Sequence, residues 1–427
     1  MGILPRKFHD KVYYFLLPAL AFVLPVHERV AASVIALIGL NWLLELNFGE
    51  KFRRLKSSKI SRLTLLFGIV YLPYLLGAFY SENFSGWSGA YLVLEVKLSL
   101  LIFPLVISTI RPEKIAPDFY LRVIKGFIWG CLFSAFLILN IAVYHYFQES
   151  NPAVFFYARL SAPFHPSYLA LYYSFAIAIL SRWLIRKYKV NTTKTVFVVI
   201  AILFFMMVTV MLSSKAGIIG VFIIFASFLF FSVLKIKEQG IPPIVWLLSL
   251  SALFSVVLYI TSPALNRFYA IKESVEENKS DEALAEKQES TAIRLLAWKY
   301  SWEVIRENPL FGVGTGDVKQ ALTEKFREHN LQSVDEKRVN SHNQYLQTFM
   351  ATGLPGFILL ILGFLLPAWF AFKKRKILYF TFIVLMVFHN LVEGMLDRQA
   401  GVVFYALFNA LMFYYALLIP DDQAFWS

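Results

Sequence analysis

The chain is dominated by long apolar runs separated by short charged segments. The clearest are Val12–Leu24, Val30–Leu46, Leu63–Phe79, Phe127–Val143, Val196–Leu212, Gly217–Leu234, Ile244–Ile260, Gly356–Phe372, Leu378–Phe388 and Val402–Ile419. Leu98–Ile110 and Ser167–Leu184 are weaker. A helix needs about 20 apolar residues to cross a bilayer core, and several runs approach that length. The pattern predicts an all-α polytopic membrane protein with about twelve spans. Composition agrees: 58% of residues are hydrophobic and 16% charged, where a soluble chain would carry far more charge.

A net charge of +13 invites a nucleic-acid reading, but the positions of the charges exclude it. Lys and Arg gather on alternate connections: Arg6–Lys11, Lys51–Arg62, Arg111–Lys125, Arg182–Lys194, Lys235–Lys237 and Lys373–Lys376. The intervening connections hold little beyond Arg29, Lys97, Arg159, Lys215 and Arg398. This is the positive-inside bias of a bacterial inner-membrane protein, and it predicts both termini in the cytoplasm. The long connection 261–341 is exempt, since long loops translocate whatever their charge, and it is expected on the outer face. The expected organisation is helices 1–9 over residues 1–260, an outer helical domain over 261–341, and helices 10–12 over 342–427. The first run lacks a small-residue cleavage site and reads as a retained helix. Cys131 is the single cysteine, so no disulfide within the chain supports the outer domain.

Within that domain, Lys272–Glu289 is acidic and rich in Ala and Lys, as a solvated helix or lid would be. Thr291 is a candidate N-cap for a helix with Ile293, Leu296, Ala297, Tyr300 and Val304 on one face, ended by Asn308-Pro309. The run Gly312–Gly316 reads as a turn that lets two outer helices pack closely. Asp317 reads as the cap of a second helix, Val318–Glu328.

Ionisable residues at a membrane edge are costly and mark functional candidates. On the outer side these are Glu95, Lys97, Arg159, His165, Lys215, Arg294, His342, His389, Glu393, Asp397 and Arg398. A cationic cluster at headgroup depth suits a diphosphate, whose oxygens arginine can fork. Each residue has an ordinary alternative. Arg159 could snorkel to the headgroups, Lys215 could sit in a tight turn, and Arg294, on a face with Trp298 and Trp302, could be a solvated charge. His342 could cap the next span rather than exchange protons near neutral pH. The glycine run lacks the Gly-Lys-Ser/Thr ending of a nucleotide loop. No Cys/His spacing suggests zinc and no Asp-x-Asp pair suggests a divalent ion, so no metal or cofactor is expected.

Arg294-Leu-Leu-Ala-Trp298, Asn308-Pro-Leu-Phe-Gly-Val-Gly314, His342-Asn-Gln-Tyr-Leu-Gln347 and Gly353-Leu-Pro-Gly356, in this order around one long outer loop, resemble the O-antigen ligase / O-antigen polymerase family. Arg159 with Phe164-His165-Pro166, and Ser214-Lys215-Ala216-Gly217, resemble upstream elements of that family. The second basic position is usually arginine in the family and is Lys215 here, which keeps the charge and loses the fork. The Glu393…Asp397-Arg398 segment resembles a subset of members.

The resemblance implies a metal-independent glycosyltransferase whose donor is an undecaprenyl-diphosphate-linked glycan. The acceptor would be a hydroxyl of lipid A–core or another glycan on the periplasmic face, with membrane lipid and no nucleic acid as further surroundings. His342 would be the base, and Arg159, Lys215 and Arg294 would hold the diphosphate. His165, Asn343, Tyr345, Glu393 and Arg398 would support them. A single base with no carboxylate nucleophile points to inversion. The alternatives are a polymerase joining lipid-linked repeat units, a protein O-glycosylating relative and, from another class, a lipid-linked oligosaccharide flippase or transporter. Polar candidates gathered near one face, with one oversized loop, favour an enzyme over a carrier.

Overall fold

A computed structural model describes residues 5–86, 89–110, 117–162, 164–187, 192–234, 248–252, 254–256, 290–331 and 340–418. Among these residues the regular structure is helical throughout. Most of the run Ile244–Ile260, and the acidic stretch Lys272–Glu289, lie outside the described residues. The helices are α1 (Arg6–Val23), α2 (Glu28–Leu44), α3 (Phe48–Ser57), α4 (Lys59–Leu65), α5 (Leu72–Ala78), α6 (Ala90–Lys97), α7 (Ser99–Thr109), α8 (Pro117–Glu149), α9 (Tyr157–Ser161), α10 (Pro166–Lys187), α11 (Thr192–Met211) and α12 (Lys215–Leu234). They continue as α13 (Ser290–Glu307), α14 (Val318–Glu328), α15 (Gln344–Lys373), α16 (Ile377–Val392) and α17 (Gln399–Leu418).

Among the described residues, 8 helices are long and apolar enough to cross a membrane, or 9 if α2 and α3, bent by 96°, form one span. The expected twelve is not reached there, for local reasons. The helix α1 carries Arg6, Lys7, Asp10 and Lys11 within its 18 residues. The helix α16 has only 16 residues. Two runs of weaker apolar character are full spans, Ala90–Thr109 and Pro166–Ile185. The apolar signal of Pro166–Ile185 is diluted by polar residues spread along it. It is nonetheless the most enclosed of these spans, 94% buried, with the Gln399–Leu417 span next at 89%. A helix buried all round shows no amphipathic face. These two helices share an aromatic core with α8 and α16, in which Phe127, Phe175 and Phe382 surround Phe404 and Phe408; Phe175 lies 5.1 Å from Phe408 and Phe127 5.0 Å.

The helix α13 runs through Glu307, ahead of Asn308-Pro309, and α14 has the expected bounds; α13 already includes Ser290, ahead of the candidate cap Thr291. Leu296, Ala297 and Tyr300 pack on Leu322, Phe326 and Leu331 in a small core, while Val304, Ile305 and Val318 pack on Tyr74, Met350 and Ala351.

The glycine turn does more than let these helices approach. Gly353 breaks α15 with φ 63°, ahead of Pro355, which frees backbone carbonyls. The turn takes them up: Val313 N–H donates to Met350 O at 2.8 Å and Gly314 N–H to Ala351 O at 3.2 Å, while Leu354 N–H donates to Pro309 O at 3.0 Å. The Asn308–Gly314 and Gly353–Gly356 motifs are therefore two halves of one joint between the segment linking α13 to α14 and the long apolar helix α15. Asp317 stands at the head of α14 without capping it by a side-chain hydrogen bond. Its carboxylate instead accepts from Glu82 N–H at 3.0 Å and Asn83 N–H at 2.8 Å, fastening α14 to the connection after α5.

Candidate active site

Three chain segments meet at one carboxylate. The helix α16 ends at Val392, and Glu393 follows in extended conformation. The helix α15 starts after Asn343, whose Oδ1 accepts from Tyr345 N–H at 2.9 Å and Leu346 N–H at 3.2 Å. That capping bond is the ordinary device for a helix start, and it leaves His342 just outside, with φ 47°. Arg294 comes from the first turns of α13.

His342 Nδ1 lies 2.9 Å from Glu393 Oε1, and Arg294 Nη2 donates to Glu393 Oε2 at 2.9 Å. Arg294 Nη1 donates to Val392 O at 3.1 Å. Glu393 is 8% exposed, whereas Arg294 and His342 are 25% exposed and remain reachable. Burial pushes the Glu393 pKa up, but the His342 hydrogen bond and the charges of His342, Arg294 and His165 overcome it and hold the carboxyl at about 2. An ionised carboxylate only accepts, so the imidazole must donate from Nδ1. In a neutral imidazole the lone pair of His342 then lies on Nε2. The tautomer is assigned here from its partner, and it is the one a general base requires. Glu393 is itself a poor base, since its pKa is low and both oxygens are engaged.

A buried polar network holds the Glu393–Arg398 segment. Lys97, 2% exposed, donates to Leu396 O at 2.6 Å and pairs with Asp397 at 3.2 Å. Its ammonium lies 4.4 Å from the Tyr74 ring centroid. Leu396 N–H donates to Gln344 Oε1 at 2.8 Å, and Tyr168 Oη–H donates to Gly394 O at 3.0 Å.

Lys215 opens α12. That helix runs antiparallel to α16: Phe231 lies 5.4 Å from Phe380, and Gly220 abuts His389. Extending this register five residues brings Lys215 level with Glu393. Gly217 packs on Ala170 in the first turns of α10, just after His165. Burial lowers the His165 pKa, Glu393 opposes this, and Arg398, Arg294 and His342 add to the lowering, so His165 shares the same electrostatic neighbourhood. Arg159 behaves differently. It is 45% exposed and pairs with Glu149 on α8, so the described contacts do not bring it to Arg294. Asn343 is engaged as a cap, and Tyr345 Oη–H donates to Val387 O at 3.0 Å, tying α15 to α16. Arg398 is exposed at the head of α17.

Tyr157, Ser213 and His342, each within two residues of a singled-out basic residue or itself one, have φ of 54°, 48° and 47°. Left-handed backbone at non-glycine residues costs about 1–3 kcal/mol and tends to gather at functional sites. Among the described residues, no three His, Cys, Asp or Glu side chains gather to hold a metal ion. Sequence reasoning underweighted Glu393 and passed over Gln344. The available signal was Lys97 and Asp397, two charges that flank apolar stretches and so call for buried partners.

Residues 197–361 match the family described as O-antigen ligase. The match includes Lys215, Arg294 and His342 and excludes Glu393. An uncharacterized protein of Haemophilus influenzae (strain ATCC 51907 / DSM 11121 / KW20 / Rd) is 25% identical over 254 residues, 56% of this chain, and the alignment spans 60% of that protein's length. Residues 197–361 of this chain, a segment that includes several of its apolar helices, are thus similar to the O-antigen ligase family.

Proposed function

We propose that the protein is an inverting, metal-independent glycosyltransferase. It moves a glycan from undecaprenyl diphosphate to a hydroxyl of lipid A–core on the periplasmic face of the inner membrane. The observation that carries this reading is Glu393, shared between His342 at 2.9 Å and Arg294 at 2.9 Å. His342 Nε2 takes the proton of the acceptor hydroxyl as its oxygen attacks the anomeric carbon. The bond from that carbon to the diphosphate oxygen breaks, and the diphosphate leaves with the electron pair. Arg294 and Lys215 stabilise the charge that develops there, in place of a metal. Arg159 joins them by leaving Glu149 for the incoming phosphate. The polyprenyl chain lies along the apolar helices.

Lipopolysaccharide analysis of a deletion strain tests the reading. Loss of all glycan-capped chains is the expected result. A single repeat unit on core would make the protein a polymerase instead, and an unchanged surface glycan would remove both activities.

A further inference from the structure

A cavity of about 180 Å³ lies between α6, α14 and α15, next to the His342 segment. Asn340 forms part of its wall, and the Asn340 side-chain oxygen accepts from His342 N–H at 3.0 Å. Gln347 forms another part, with its side-chain oxygen accepting from Ser341 Oγ at 3.1 Å. Both amides thus use their oxygens within the protein, and among the described residues their NH₂ groups make no hydrogen bond. Lys319 brings an ammonium group from α14. Lys97 and Asp397 also line the cavity, but they neutralise each other. Val96 and Leu322 add apolar lining.

Two amide donors and one cation that forms no ion pair among the described residues, beside apolar lining, suit a ring that carries oxygen acceptors on its edge and C–H groups on its face. We propose that this cavity binds one sugar residue of the acceptor glycan, which deepens and rests on the transferase reading above. The volume equals about six waters' share of liquid, enough for one ring and too little for a lipid. The site shares the Asn340–His342 segment with the base, so a sugar seated there holds a neighbouring hydroxyl close to His342. The Lys319 charge favours a sugar bearing a phosphate or carboxylate. A larger hollow of about 290 Å³ beside α14 does not compete for this role. It is lined by Glu307, Glu324 and Glu328, which would repel such a sugar.

The test is binding of deacylated core oligosaccharide to the purified full-length protein in nanodiscs, measured by calorimetry without donor. Wild type should saturate. Lys319→Ala should bind roughly tenfold more weakly or worse, as expected for a lost hydrogen bond to a charged group. Val96→Phe should fill the cavity and abolish binding. Retention of an undecaprenyl-diphosphate donor should be unchanged in both variants. Val96→Phe tests the cavity only if it folds; Lys319→Ala changes a partly exposed helix position and carries the test by itself. Absence of binding by wild type, or wild-type affinity in Lys319→Ala, overturns the proposal. Wild type that binds the oligosaccharide but transfers no glycan leaves the cavity standing and removes the transferase reading. Transfer with an unchanged acceptor KM in Lys319→Ala does the reverse.

Discussion

His342 and Glu393 divide one task. In the proposed reaction Glu393 would hold the imidazole in the Nδ1–H form, and His342 would present Nε2 to the acceptor. General-base help is worth about 10²–10⁴-fold, so His342→Gln should lose turnover on that scale while retaining donor, because a neutral amide takes up no proton near pH 7. Near-full turnover of a folded His342→Gln protein would remove the base assignment. Glu393→Gln is the sharper probe. Its amide can donate to Nδ1 and reverse the tautomer, so turnover should fall by a similar order although the amide fills the same space. The same substitution has a stability signature. With its pKa held at about 2 in the folded protein, against ~4.3 unpaired, Glu393 contributes stability that is present above pH ~4.3 and lost as pH falls towards 2. Thermal unfolding of the detergent-solubilised protein from pH 5 to pH 2 should show that loss in wild type and a flatter acid limb in Glu393→Gln. Identical acid limbs would mean that the carboxylate is not held as described.

At the scale of elements, the joint between the glycine turn and the break in α15 positions the site from below. Gly312 has φ 71°, and a Cβ there would lie 2.3 Å from Met350 O. Gly312→Ala therefore meets both a backbone penalty of about 1–2 kcal/mol and a collision with backbone that no rotamer relieves. It should lower the unfolding temperature by several degrees and reduce transfer, because α13 carries Arg294 from this joint. Gly49→Ala, where nothing lies within 4 Å of the added carbon, should leave both unchanged. Equal unfolding temperatures for the two variants would show that the joint does not constrain α13 and α14. The sequence displayed this joint as two separate short motifs. Their pairing was not legible, since the hydrogen bonds connect Val313 with Met350 and Leu354 with Pro309 and leave no periodicity in either segment.

At the scale of the whole molecule, exposed Leu354, Ile358, Leu362, Leu365 and Trp369 form a stripe down α15, and Leu310 and Phe311 continue the apolar surface at its head. The Tyr80 hydroxyl donates to Phe311 O and fixes that tip. An apolar tip in line with a lipid-facing stripe belongs in the bilayer interface. A nitroxide on Phe311→Cys should thus be more accessible to oxygen than to a water-soluble nickel chelate; the buried Cys131 leaves the new thiol selectively labelled. Greater accessibility to the chelate would place the tip in water. The apolar runs were enough to determine that the chain is helical and crosses a membrane repeatedly, because hydrophobic length is a local property of sequence. The end of α13 and the start of α14 were also legible, through Asn308-Pro309 and the glycine run. Which charges share a site was decided only by the tertiary structure. Arg294, His342 and Glu393 are far apart in the chain and meet because the starts of α13 and α15 lie beside the end of α16. Arg159 carries the same charge as Arg294 and pairs with Glu149 instead. An ion pair needs a few ångströms of proximity, and only the packing of helices supplies it.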